Sequence, residues 1–203
     1  ADGLNNDDII VQENVSRFES LIAENEDFAG WIKIDGTKID YPVMLSSSDP
    51  DFYLTHDFHK EKSKSGTPYI GKGCDPESDN IIIYGHNMKN GTMFSGLLQY
   101  KKEGFFKEHP TISFDTVAKS NEYEILAVFK DKVHYRDEKV FKYYNYTGDL
   151  SEEEFNEYIK NIKAMSLYDT GVDATYGDQL ITLSTCSFHI ENGRFVVVAV
   201  HAE

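Results

Sequence analysis

Apolar residues along the chain switch between a spacing near four and a spacing of two, and each switch marks an element. Val15, Phe18 and Ile22, with Leu21 beside them, recur at helical spacing and predict an amphipathic helix over 7–25, with Asn14 as its cap. Residues 28–43 read as a hairpin turning at Asp35-Gly36. The stretch 46–64 is polar and aromatic, a loop with one helical turn near Asp51-Phe-Tyr-Leu54, and 67–70 is a short strand. Asn80-Ile-Ile-Ile-Tyr-Gly-His86 is a buried strand that runs into a glycine and a histidine. A short helix over 93–100, a helical continuation at Phe105-Phe106, and strands over 111–114 and 121–129 follow.

Ser151-Glu-Glu-Glu154 has the form of a capping box, in which the hydroxyl accepts from the third amide and the carboxylate returns the bond. Phe155, Tyr158, Ile159 and Ile162 follow at helical spacing, so a long helix is predicted over 151–165. A polar connection, 166–177, leads into two runs of β-branched and apolar residues, 178–186 and 194–200, with Asn192-Gly193 supplying the turn. In the first run Leu180, Thr182, Ser184 and Cys186 share one face by the two-residue period, which puts a thiol at the end of a partly polar row.

A length of 203 residues with 40% apolar and 13% aromatic content supports a single β-dominated globule with a real core. The net charge of −15 excludes nucleic acid and anionic lipid as the main partners, since both select a basic surface. No stretch reaches the roughly 18 apolar residues of a membrane span. The chain opens Ala1-Asp-Gly-Leu without an initiator Met and is expected to be a trimmed form. Cys74 and Cys186 show no disulfide spacing; Cys74, in Gly-Lys-Gly-Cys-Asp-Pro, is expected to be an incidental exposed thiol.

The chemistry candidates come from three requirements of a thiol nucleophile: thiolate character, a proton donor for the leaving group, and a cation for the developing oxyanion. Cys186 is flanked by Ser184, Thr185 and Ser187; taken singly, a cysteine on a strand is as often a small core residue. Of seven histidines, His86 stands out because Gly85 permits a bend at the strand end, although a structural histidine is the commoner case. His189 is nearer in sequence but lies in a loop, and His56 with His59 lack a third ligand at metal-binding spacing. Arg194, one of three arginines with Arg17 and Arg136, opens a strongly apolar run; its fork can hold an oxyanion or form a salt bridge with one of 35 acids.

Tyr84-Gly-His86-Asn-Met88, Thr182-Leu-Ser-Thr-Cys186 and the arginine eight residues on resemble the signature of the sortases, the cysteine transpeptidases of Gram-positive cell surfaces. Trp31-Ile-Lys-Ile-Asp-Gly-Thr-Lys-Ile-Asp-Tyr-Pro-Val43, Tyr53-Leu54 with Asp57-Phe58, Asn90-Gly-Thr-Met-Phe94 and the long helix before the cysteine strand are similar to the class B branch, its clostridial members included. The resemblance implies an eight-stranded β-barrel with peripheral helices, with residues 1–27 as a helical segment packed on a catalytic domain of 28–203. It implies cleavage of a sorting signal after Thr by Cys186, with His86 shuttling the proton and Arg194 holding the oxyanion. Transfer would follow to an amine of cell-wall peptide. It also implies substrate contacts at Ser184, Thr185 and Tyr168, no cofactor and no metal. The enzyme is expected to work as a monomer at the extracellular face of the membrane, through an N-terminal anchor lying outside this chain. A pilin-polymerising sortase, a cysteine protease of similar fold and a non-catalytic surface module are the alternatives.

Overall fold

The computed structural model describes residues 6–202, with side chains from residue 13 onward. Residues 1–5 of the expected N-terminal segment, and Glu203, lie outside the described residues. Eight strands form a closed barrel: β1 (Phe28–Lys33), β2 (Asp40–Met44), β3 (Tyr69–Ile70), β4 (Asn80–Tyr84), β5 (Thr111–Asp115), β6 (Ser120–Lys132), β7 (Leu180–Cys186) and β8 (Gly193–His201). They close in the order β1-β2-β3-β4-β7-β8-β6-β5. Most neighbours are antiparallel, but β2 with β3 and β4 with β7 run parallel, and the second pair brings the carboxyl ends of two strands about a hundred residues apart to one rim.

The period-two pattern of the strands sorts their side chains between two cores. Ile181, Leu183, Val197 and Ala199 point into the barrel with Ile81, Ile83, Phe94 and Tyr123. Leu180, Val196, Val198 and Phe129 point outward, under the helix α3 (Glu152–Met165; the short α2 is Glu103–Glu108), where they meet Phe155, Tyr158 and Ile162. The capping box at Ser151 and Glu154 is formed in full, and such a cap stabilises a helix by about 1 kcal/mol. Burying one large apolar side chain of α3 contributes about 1.5–3 kcal/mol, so its amphipathic face weighs more than its cap.

The helix α1 (Asn6–Glu24) turns Phe18 into a third cluster with Phe28, Met44 and Tyr53, while Val15 stays exposed. Asn14 does not cap this helix, because it lies well inside it. It is buried, and its amide donates to Ser120 Oγ at 3.1 Å, tying α1 to the start of β6. The β1–β2 hairpin does turn at Asp35-Gly36, with Gly36 at φ +75, but Ile34 and Ile39 still pair, so the loop is four residues long.

Cys74 is buried and not exposed. Its thiol donates to the Gly71 carbonyl at 3.3 Å and its sulfur accepts from the Ile82 amide at 3.4 Å, so β4 draws the loop inward. Burial pushes this thiol's pKa up and keeps it protonated.

Candidate active site

Register places the candidate residues. Cys186, the last residue of β7, is the cross-strand partner of Arg194 on β8. On the other side of β7, Tyr84 of β4 stands beside Ser184 in parallel register. Two residues further on come Cys186, the last residue of β7, and His86, in the turn just past the end of β4. Neighbouring strands lie about 4.8 Å apart, so thiol, imidazole and guanidinium issue from adjacent positions along one edge of the sheet. Cys186 and Arg194 lie on the outward face, in the same rows as Ser184 and Val196. All three residues line a cavity of about 420 Å³.

The turn after β4 is held from several sides. The Gly85 amide donates to the Ser184 carbonyl at 3.2 Å, and Thr185 Oγ1 donates to the Gly85 carbonyl at 2.6 Å. Gly85 is required there for space. A Cβ on it would stand 2.6 Å from Cγ of the buried Phe94 ring. His86 bonds through Nε2 to the Leu54 carbonyl at 2.8 Å. A carbonyl only accepts, so Nε2 carries the hydrogen and Nδ1 of the neutral ring holds the free lone pair. Asn87 Nδ2 donates to the Cys186 carbonyl at 2.9 Å, fastening the histidine turn to the end of the cysteine strand.

The loop between β7 and β8 turns at Asn192, whose φ is +55. Gly193 follows where any Cβ would overlap the Ser187 carbonyl. Arg194 Nη1 donates to the carbonyls of Asn192 at 3.3 Å and Gly193 at 3.1 Å. Among the described residues no carboxylate oxygen lies within 4.0 Å of this guanidinium, so the salt-bridge reading of Arg194 has no support here. Cys186 is a free, partly exposed thiol.

Of the three expected substrate contacts, Ser184 and Thr185 line the cavity and Tyr168 does not. Both hydroxyls of the first pair are engaged: Ser184 Oγ shares a hydrogen bond with the Tyr143 hydroxyl at 2.8 Å, and Thr185 is bound to Gly85. Tyr168 lies elsewhere. Its hydroxyl donates to the Tyr100 carbonyl at 2.8 Å and its ring packs 5.5 Å from Phe106, because the chain leaving α3 crosses back over the barrel core. The wall that sequence reasoning missed comes from before α3. Tyr143, Tyr144 and Thr147 line the cavity, facing Leu54, Tyr69 and Tyr84. The aromatic run Phe141-Lys-Tyr-Tyr-Asn-Tyr146 was the available signal. Burial pushes the Tyr84 phenol up to about 12 and Tyr143 higher still, so both stay neutral donors at any ordinary pH.

The other histidines are occupied elsewhere. His56 stacks on Phe52 with ring centroids 3.9 Å apart, His59 pairs with Glu24 at 2.9 Å, and His189 bonds to Ser187 Oγ at 2.9 Å.

The Sortase domain family model matches residues 32–202 of the chain. Sortase B of Listeria monocytogenes is 37% identical over 177 residues, covering 85% of this chain and 69% of that protein. The chain is a class B sortase. Among solved structures, Clostridium perfringens sortase B superposes with a TM-score of 0.81 at 33% identity, covering 91% of this chain and 99% of that one. A Staphylococcus aureus sortase B–substrate complex superposes with a TM-score of 0.79 at 27% identity, covering 96% and 92%. This sortase is therefore a cysteine transpeptidase on an eight-stranded barrel. Sortases act at the cell surface. No helix among the described residues is long and apolar enough to cross a membrane.

Proposed function

We propose that this sortase cleaves the sorting signal of a secreted surface protein after Thr and passes the acyl group to an amine of cell-wall peptide. The observation that supports this most is the convergence of Cys186, His86 and Arg194 on one cavity from adjacent strand positions. The thiol gives its proton to Nδ1 of His86, and Sγ adds to the Thr carbonyl carbon. Arg194 releases its loop carbonyls and donates to the oxygen that becomes negative. The tetrahedral species collapses, the C–N bond breaks, and the imidazolium protonates the departing amine. The incoming amine then loses a proton to His86 and attacks the thioester, expelling Cys186.

The signal peptide lies against Leu54, Tyr84 and Tyr143, and the main chain beside Ser184 and Thr185 orients its carbonyl. That a similar sortase B from Staphylococcus aureus has been solved with its substrate supports a peptide in this position. The protein works at the extracellular face of the membrane.

The test is incubation with Pro-x-Thr-type peptides and a set of amines, reading acyl-enzyme and product by mass. Ligated product from wild type and none from Cys186→Ala are expected. Continued turnover by Cys186→Ala would end the proposal, and hydrolysed peptide alone in the presence of every amine would favour a protease.

A further inference from the structure

The row of side chains on the outward face extends one strand beyond Arg194. Asp131 of β6 is the cross-strand partner of Arg194, just as Cys186 is its partner on the opposite side. Asp131, Arg194 and Cys186 therefore follow one another across β6, β8 and β7, in the same rows as Phe129, Val196 and Ser184. An acid so placed is unusual: the side chain of Asp131 is only 7% exposed. Its Oδ1 accepts from His134 Nε2 at 2.9 Å, and His134 Nδ1 is held in turn by Glu138 Oε2 at 3.0 Å. The other oxygen, Oδ2, is buried without any hydrogen-bond partner in the protein. A buried carboxylate oxygen left unpaired is costly, and such an atom normally has an assigned donor.

Arg194 is the donor that matches it. Its Nη1 rests on two carbonyls of its own turn, and its Nε and Nη2 have no protein acceptor among the described residues. A guanidinium offers five N–H groups in a planar fork, so one edge can grip a carboxylate while the other addresses a substrate oxygen. We propose that Asp131 is a positioning residue for Arg194, whose guanidinium leaves the loop carbonyls when substrate arrives and takes Asp131 Oδ2 as its fixed acceptor. His134, itself bonded to Glu138, holds the carboxylate by Oδ1 and leaves Oδ2 for the arginine. Asp131 touches neither the peptide nor the sulfur; it fixes the angle from which the cation meets the oxyanion. The inference rests on the proposed role of Arg194 in the reaction.

The experiment follows acyl-enzyme formation and ligation for wild type, Asp131→Asn, Asp131→Glu, Arg194→Ala and the double variant Asp131→Asn/Arg194→Ala. Reactions run long enough to resolve the slow variants. Asp131→Asn is expected to lower kcat by about tenfold or more, as misplacing a charge-stabilising group by an ångström does, while KM for the peptide stays within about twofold. Asp131→Glu should recover part of that loss. In the Arg194→Ala background the Asp131 change should cost nothing further, which a merely structural effect would not reproduce. Wild-type kcat in Asp131→Asn, or an equal loss in both backgrounds, overturns the assignment and leaves the Arg194 reading standing. Full turnover by Arg194→Ala would remove the arginine from the reaction and both readings with it. Should Asp131→Asn fail to fold, wild-type kcat in Asp131→Glu, where the carboxylate is displaced by one methylene, overturns the assignment equally.

Discussion

The Asn87 side chain donates to the main-chain carbonyl of Cys186 at 2.9 Å, so the residue after the histidine is bonded to the residue that carries the thiol. The β4–β7 ladder ends at Tyr84 and Ser184, and beyond it the Gly85 amide bond and the side-chain bonds of Asn87 and Thr185 hold the two strand ends together.

Asn87→Ala should therefore lower kcat several-fold while the barrel stays folded. Loss of one such bond costs on the order of 1 kcal/mol, which leaves the core intact but loosens the His86 turn. Circular dichroism and thermal melting against peptide turnover check this; unchanged turnover would mean that the turn is fixed by its other bonds.

The two thiols should titrate separately. A small methanethiosulfonate reagent is expected to modify one thiol per native chain, at Cys186, and a second only on denaturation. Cys186→Ala should show no fast-reacting thiol, since Cys74 is buried and burial holds it protonated. Rapid modification of two thiols in the native protein would contradict the packing of the Cys74 loop under β4.

Ser184 and Tyr143 share a buried hydroxyl pair. Tyr143→Phe strands the Ser184 hydroxyl and should cost about 1–3 kcal/mol, read from a denaturant midpoint, whereas Tyr143→Phe combined with Ser184→Ala should cost less than the sum of the two single changes. Strict additivity would show that the hydroxyls do not depend on one another.

The ion cluster on β6 carries its own pH signature. Burial acts to lower the His134 pKa, but its bonds to Glu138 and Asp131 outweigh that and raise it above the ordinary 6.5. Its stabilising effect is full below 6.5 and is lost as pH rises through the raised value. The His134 bond holds Glu138 down at about 2 from an ordinary 4.5, so that contribution is present above 4.5 and is lost as pH falls towards 2. The difference in thermal midpoint between wild type and His134→Gln should be largest between pH 4.5 and 6.5 and shrink on either side. A difference that is flat from pH 5 to 9 would rule the cluster out as a source of stability.

The candidate residues that meet at the cavity were legible in the sequence because their signals are local. The strand ending in Gly85-His86, the row that ends at Cys186 and the isolated Arg194 each stand out within a few positions. What joins them is register between strands a hundred residues apart, and no local pattern states that Asp131 is the next member of the same row. The place of Tyr168 is illegible for a related reason: both connections flanking α3 are polar and aromatic, and only the path of the chain decides which one lines the cavity. Asn14 has the chemistry of a cap but sits mid-helix, where its amide finds Ser120 on a distant strand. Cys74 lies among turn residues that suggest exposure, and its burial is imposed by β4.

The thiol and the guanidinium belong to β7 and β8, and β8 seats between β7 and a β6 laid down about sixty to eighty positions earlier. Closing such distant segments is the slow part of building a barrel of this kind, since the entropy of the intervening chain must be lost before the contacts form. On the proposed mechanism chemical competence thus waits for completion of the shell: a polypeptide that ends ahead of residue 186 lacks the nucleophile, and one cut short between 186 and 194 has the sulfur but no cation to assist it.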